Sequence, residues 1–177
     1  IINKSQNFVT KLVDAEYSFL MDMQLLLDRT GGFNHFNGLI SVMDGDYLKD
    51  KKLNESRMCE DTDFTQRAYL DGKKPVITSK SVVGEQAVTG LSDLYSQKLR
   101  WMNGAIEALK YYRRPIISSQ LPMKIKFSWL TAMTGPFMAF IFSPFAFIYA
   151  LLNVFKERKL FEQISKGVYL FMFAWFI

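Results

Sequence analysis

Apolar residues recur at three- and four-residue spacing between Ser5 and Thr30, at Phe8, Leu12, Val13, Phe19, Leu20, Met23, Leu26 and Leu27. That period gathers them on one helical face and predicts a long amphipathic helix over Ser5–Thr30. Gly31-Gly32 supplies its stop, because glycine takes the left-handed backbone that closes a helix. A turn-rich piece follows, Phe33-Asn34-His35-Phe36-Asn37-Gly38. Leu39 to Met43, and Val76-Ile77-Thr78 with Val82-Val83, predict short strands from their apolar and β-branched residues. Between them, Asp61–Leu70 reads as a short helix with an acidic first turn and Gly72 beyond its end. A second long helix is predicted from Leu91 to Tyr112 and ended by Pro115, since proline disfavours helix in the residue before it.

The pattern then changes character. Residues 127–155 are 29 positions without one Asp, Glu, Lys or Arg. About 20 apolar residues suffice for a helix to cross the hydrocarbon core, so this run is predicted to be a transmembrane helix. Pro136 and Pro144 lie inside it, and membrane helices tolerate such kinks. Trp129 and Tyr149 suit an interfacial aromatic belt. Residues 156–167 read as a loop, opened by Lys156-Glu157-Arg158-Lys159, and 168–177 as the start of a second span. The chain starts at Ile1 and stops inside an apolar segment, so it reads as part of a longer protein.

Composition sharpens this picture in three ways. The hydrophobic fraction is 49% with 16 Phe, rich for a soluble domain. The net charge of +5 is uneven. Residues 1–106 carry 13 Lys/Arg against 14 Asp/Glu, and residues 107–177 carry 9 against 3. This basic surplus flanks apolar runs, which suits anionic headgroups and argues against a nucleic-acid partner. Cys59 is the single cysteine and His35 the single histidine, which excludes an intrachain disulfide, a Cys-rich zinc site and His-based metal ligation. His35 reads as a loop histidine, with no nucleophile signature beside it.

Two short clusters carry candidate chemistry. Glu60, Asp61 and Asp63 fall within four residues at a helix start. Carboxylates there complement the helix dipole by about 0.3–1 kcal/mol each, and one of them is also a candidate general base for a hydroxyl. Gln97, Arg100 and Trp101 stand at i, i+3 and i+4, so they share one helical face. Arg is a planar donor fork suited to a diphosphate, Trp offers a flat face for a sugar ring, and Gln adds hydrogen bonds. An interfacial anchor is the plainer reading of the same residues. Asp44-Gly45-Asp46 spells a carboxylate pair that could bridge a cation to phosphates. Its position 15 residues before Asp61 favours a solvated turn instead, and it is left out of any metal site.

In order, the chain presents an aromatic-Asn-Gly turn, an acidic helix start, a strand candidate, Gln-x-x-Arg-Trp and an apolar run. This order resembles the membrane-integrated family 2 glycosyltransferases, the cellulose, chitin and hyaluronan synthases and their relatives, over residues 5–155. Cys59-Glu60-Asp61 resembles the family's Thr-Glu-Asp motif, with Cys replacing Thr, so the resemblance implies that Asp61 is the catalytic base. Asn37-Gly38 matches the acceptor-side turn. Gln97, Arg100 and Trp101, with Glu60 and Asp63 beside the base, are implied to line the acceptor and the donor diphosphate.

The resemblance also implies an α/β fold: residues 1–106 as the C-terminal part of a GT-A (Rossmann-like) catalytic domain, then an interfacial segment over 107–126 and the transmembrane helices. It implies inverting transfer of a hexose from a nucleotide sugar, expected to be a UDP-sugar, to a glycan or lipid acceptor. A divalent cation, Mg or Mn, is expected on an Asp-x-Asp motif outside this chain, so the fragment alone is expected to be inactive. Lysines and arginines flank the 127–155 run five before and four after, which does not orient it. The resemblance places a multi-pass protein in the cell membrane with its active site on the cytosolic side and lipids as partners. A non-processive glycolipid transferase and a non-catalytic membrane-anchored interaction protein are the alternatives.

Overall fold

A computed structural model of the chain describes residues 1–78, 80, 83–135 and 137–138. Four helices order the first of two compact units, Ile1–Lys126: α1 (Phe8–Thr30), α2 (Gly45–Lys51), α3 (Glu60–Leu70) and α4 (Leu91–Ser118). Residues 123–135 are also helical. The second unit is Phe127–Ile177; in its described part Trp129, expected as an interfacial anchor, is fully buried.

Local sequence accounts for each helix end. Asn7 caps α1 by accepting from Thr10 N at 2.9 Å, while Thr10 Oγ1 accepts from Asn7 N at 3.0 Å. This reciprocal pair satisfies two donors left over at a helix start. Gly31 closes α1 at φ 74°, and Gly32 N donates to Leu27 O at 2.7 Å. Asp44 caps α2, its Oδ1 accepting from Asp46 N and Tyr47 N. The Asp-Gly-Asp run thus opens a helix of seven residues.

Three expectations are corrected. The first is the α/β, Rossmann-like GT-A architecture, because the described residues contain no strand and are helical wherever they are regular. In the expected strand at 39–43, Val42 is fully exposed and Ile40 is half exposed. Val76, in the next candidate, is 77% exposed. β-branched residues favour strands through packing on neighbours, and among the described residues no strand offers these segments a ladder. The second is the end of α4, which continues through Pro115 to Ser118. Ile116 in that last turn is fully buried. Ser118 and Ser119 hydroxyls donate to Arg114 O at 2.8 Å and Ile116 O at 2.7 Å, taking up carbonyls at the helix end.

The third is localisation. Among the described residues no helix is long and apolar enough to cross a membrane. That finding overturns the expected multi-pass membrane placement with a cytosolic-side active site. Helices α1 and α4 have the length, at 23 and 28 residues, but both carry charged side chains along it. The runs expected to span, 127–155 and 168–177, lie outside the described residues except for 127–135 and 137–138.

The core that positions the site forms on both sides of α3. On one side the segment 33–38 runs extended along it. Asn34 N donates to Tyr69 Oη (2.8 Å), Phe36 N donates to Thr65 Oγ1 (3.1 Å), and Gly38 lies against Asp61. Four extended residues cover roughly 13 Å and eight helical residues roughly 12 Å. Two residues of the segment therefore match each turn of α3, antiparallel to it. Phe33 anchors this run, buried with its ring 4.8 Å from that of Tyr69.

On the other side α3 packs on α4. Gly104, Ala105, Ala108 and Ile116 are the buried residues of α4, and the small ones let α3 approach closely. A Cβ on Gly104 would fall 2.3 Å from Cys59 Sγ and 2.9 Å from Cys59 Cβ. An alanine inside a helix is ordinarily worth about 0.5–1 kcal/mol more than glycine. Here the overlap reverses the sign. Gly104→Ala is expected to lower unfolding free energy in urea by about 1–3 kcal/mol, the range for overpacked cores. Adding Cys59→Ala should return part of that loss.

Candidate active site

The acidic helix start separates into three carboxylates with different surroundings. Glu60 is exposed. Asp63 is buried, and its carboxylate is held by Arg67 Nε at 2.9 Å, Arg57 Nε at 3.2 Å and the Tyr112 hydroxyl at 2.5 Å. Burial, and then the Asp63 carboxylate, push the Tyr112 phenol well above its usual range. Asp63 is therefore engaged inside the protein rather than presented to a ligand.

Asp61 is half-buried and forms no ion pair among the described residues. Its Oδ1 accepts from Thr62 N at 2.6 Å, and its Oδ2 faces Gly38. A Cβ at Gly38 would sit 3.2 Å from Oδ2, and Gly38 has φ 75°. Both facts suit glycine there: the left-handed backbone strains other residues, and the bare Cα lets the turn approach the carboxylate. The sequence-predicted pair of Asn37-Gly38 and Asp61 is thus brought together. Asn37 Oδ1 accepts from Leu39 N at 3.3 Å, so the asparagine shapes the turn.

His35 joins this site, although sequence reading left it as a loop residue. Its Nε2 lies 3.5 Å from Thr62 Oγ1. Burial holds the imidazole below the usual histidine range, while the Asp61 charge pulls the other way. The available signal was position: His35 precedes Asn37-Gly38 by two residues, one alternation of the extended segment.

Cys59 connects Asp61 to α4. Its thiol points at Arg100 O, 3.9 Å away, and packs on Gly104. Burial, then the Asp61 carboxylate, push the thiol up to about 11, with Arg100 opposing. Arg100 itself is exposed, one helical turn before Gly104. Its guanidinium is thus open to solvent on α4. The other two members of the Gln-x-x-Arg-Trp set lean elsewhere. Trp101 is held toward α1: Lys98 Nζ sits 3.9 Å over its ring, Tyr17 lies 6.2 Å away between centroids, and Glu16 binds Lys98 at 2.5 Å. Gln97 Oε1 is buried without a hydrogen-bond partner, a condition that costs about 1–3 kcal/mol and calls for a donor. Among the described residues no hydrogen bond or ion pair joins Asp61 to Gln97, Arg100 or Trp101.

No group of three or more His, Cys, Asp or Glu among the described residues is placed to hold a metal ion. Asp44 is a helix cap, and Asp46 pairs with Lys49 at 3.4 Å. What remains is the Asp61 carboxylate under an open turn, with the exposed Arg100 guanidinium on the adjoining helix. That arrangement can deprotonate a hydroxyl and neutralise an anion.

The model of the family described as glycosyl transferase family group 2 matches residues 4–176. No curated protein and no solved structure matches the chain.

Two titrations check this geometry. With its thiol raised to about 11, Cys59 should react with iodoacetamide at pH 8 far more slowly than a free cysteine, the gap closing as pH approaches 11. For His35 the folded state disfavours the proton relative to the unfolded chain. Stability should be retained above the unfolded value of about 6.5 and fall as pH drops below it, because the unfolded chain then binds more protons. Denaturant midpoints of wild type and His35→Asn across that range should show a smaller loss in the variant.

Proposed function

Since the chain belongs to glycosyl transferase family group 2, we propose that it forms the acceptor side of the transfer site, with Asp61 as the general base. Membership means sugar transfer from a nucleotide-sugar donor to an acceptor. The observation that carries the finer reading is the approach of Gly38 to Asp61 Oδ2, which leaves this one carboxylate of the three under a turn with no side chain.

In the proposed reaction Asp61 takes the proton of an acceptor hydroxyl as its oxygen attacks the anomeric carbon. The bond from that carbon to the nucleotide diphosphate breaks, with inversion, and the electron pair leaves on the diphosphate. Negative charge grows on the leaving oxygens, and the exposed Arg100 guanidinium supplies positive charge from α4. Gln97 and Trp101 are proposed to orient the acceptor sugar, whose misplacement lowers rate. Glu60, exposed beside the base, adds a second acceptor of hydroxyl protons. Asp63 is assigned no contact with substrate. The divalent cation expected from the family resemblance has no cluster of three ligands among the described residues, and no step is routed through it. The donor is proposed to be a UDP-sugar and the acceptor a growing glycan.

Asp61→Asn keeps the shape of the side chain and its bond from Thr62 N but cannot accept the proton. In the full-length protein it should lower kcat by about 100- to 10,000-fold, the range for general-base loss, with urea stability little changed. Transfer is read from radiolabelled UDP-sugars, where polymer, glycolipid and absence of product are distinct outcomes. Full activity in Asp61→Asn removes the assignment.

A further inference from the structure

Helix α3 lacks the device that normally fixes a helix start. Its N-cap is Cys59, which makes no side-chain capping hydrogen bond. A helix start leaves backbone donors unsatisfied; Asp61 Oδ1 takes one of them, Thr62 N, at 2.6 Å, but the cap position supplies no oxygen, which weakens the first turn. Asp61 lies in that first turn, so fraying would displace it.

A set of contacts from outside α3 holds the same place. Glu107 of α4 accepts from Met58 N at 3.0 Å and from Arg57 Nη1 at 3.3 Å, gripping the two residues before the cap. The Arg57 guanidinium lies 3.8 Å over the Tyr111 ring of α4. Its Nε faces the buried Asp63 carboxylate at 3.2 Å, and Tyr112 donates to the same carboxylate. Arg67 ties the other Asp63 oxygen to Lys51 O at 2.7 Å and Lys52 O at 2.8 Å, fixing the start of the loop that leads into α3.

We propose that Arg57, with Glu107 and Asp63, is a positioning residue for Asp61: it fastens the approach to α3 onto α4 in place of a missing N-cap. The proposal rests on the assignment of Asp61 as base. Arg57 touches no reacting atom. Its loss acts through the aim of Asp61, and a misplacement of about 1 Å is enough to lower rate on the order of 100-fold.

The test uses the full-length enzyme carrying Arg57→Gln, Arg57→Lys and Arg57→Gln with Cys59→Ser. Arg57→Gln should lower kcat by about 10- to 100-fold, with donor KM changed by no more than about twofold. Its helical circular dichroism should persist, and alkylation of Cys59 should quicken as the first turn loosens. Arg57→Lys, which keeps a charge for Glu107 and Asp63, should retain more kcat and serves if Arg57→Gln does not fold. Cys59→Ser supplies the cap oxygen, and in the double variant it should recover about fivefold in kcat. The proposal is overturned if kcat is unchanged in folded Arg57→Gln, if KM alone rises, if Cys59 alkylation stays at the wild-type rate, or if the serine recovers nothing. A fully active Asp61→Asn would remove the base assignment and this proposal's link to catalysis; the alkylation rate still tests the fastening by itself.

Discussion

The buried carboxylate of Asp63 is the constraint on which the described structure depends. A charge removed from water costs several kcal/mol unless it is paired and hydrogen-bonded. Asp63 meets that demand from three directions: hydrogen bonds from Arg67 one turn along its own helix and from Tyr112 of α4, and an ion pair with Arg57 of the preceding loop. Each partner brings its surroundings along. Arg67 gathers the carbonyls at the end of α2, Arg57 seats the loop on Glu107 and Tyr111, and Tyr112 sets the rotation of α4 about α3. The small face at Gly104 and Ala108 then permits the distance that those bonds require.

The opposite side of α3 is governed by a match of rises rather than by charge. An extended chain and a helix advance together when two residues face one turn. Segment 33–38 uses that match, with polar contacts at Tyr69 and Thr65 and a glycine at Asp61. The same α3 therefore has a structural carboxylate turned to α4 and a candidate catalytic one under the turn, two residues apart. Their roles differ because successive positions of a helix face different neighbours, not because of their chemistry.

Helix-forming segments were legible along the chain because a 3.6-residue period needs only the chain itself to express it. The patterns at Ser5–Thr30, Asp61–Leu70 and Leu91–Tyr112 correspond to α1, α3 and α4. Ends were less legible. α4 passes Pro115 because the burial of Ile116 outweighs the local preference. The strands failed for a related reason: a β-branched run becomes a strand only where another strand offers it a ladder, and at 39–43 and 76–78 most side chains are exposed, with Met43 and Ile77 partly covered. The membrane placement rested on residues 127–155 and 168–177, and no helix among the described residues supports it.

By itself the sequence pointed to the family 2 glycosyltransferases, through Asn37-Gly38, Cys59-Glu60-Asp61 and Gln97-x-x-Arg100-Trp101, because motif identity survives without any knowledge of contacts; the match over residues 4–176 supports family group 2 and no narrower subgroup. It also nominated the cluster that holds the candidate base. Tertiary structure decided which carboxylate lies under the turn and which is locked away, that His35 stands beside Asp61, and that Trp101 leans on Tyr17 of α1 under Lys98 of its own helix. The turn and Tyr17 contacts join residues 23 and 84 positions apart, and spacing along a chain carries no information about which side of a helix a distant partner will occupy.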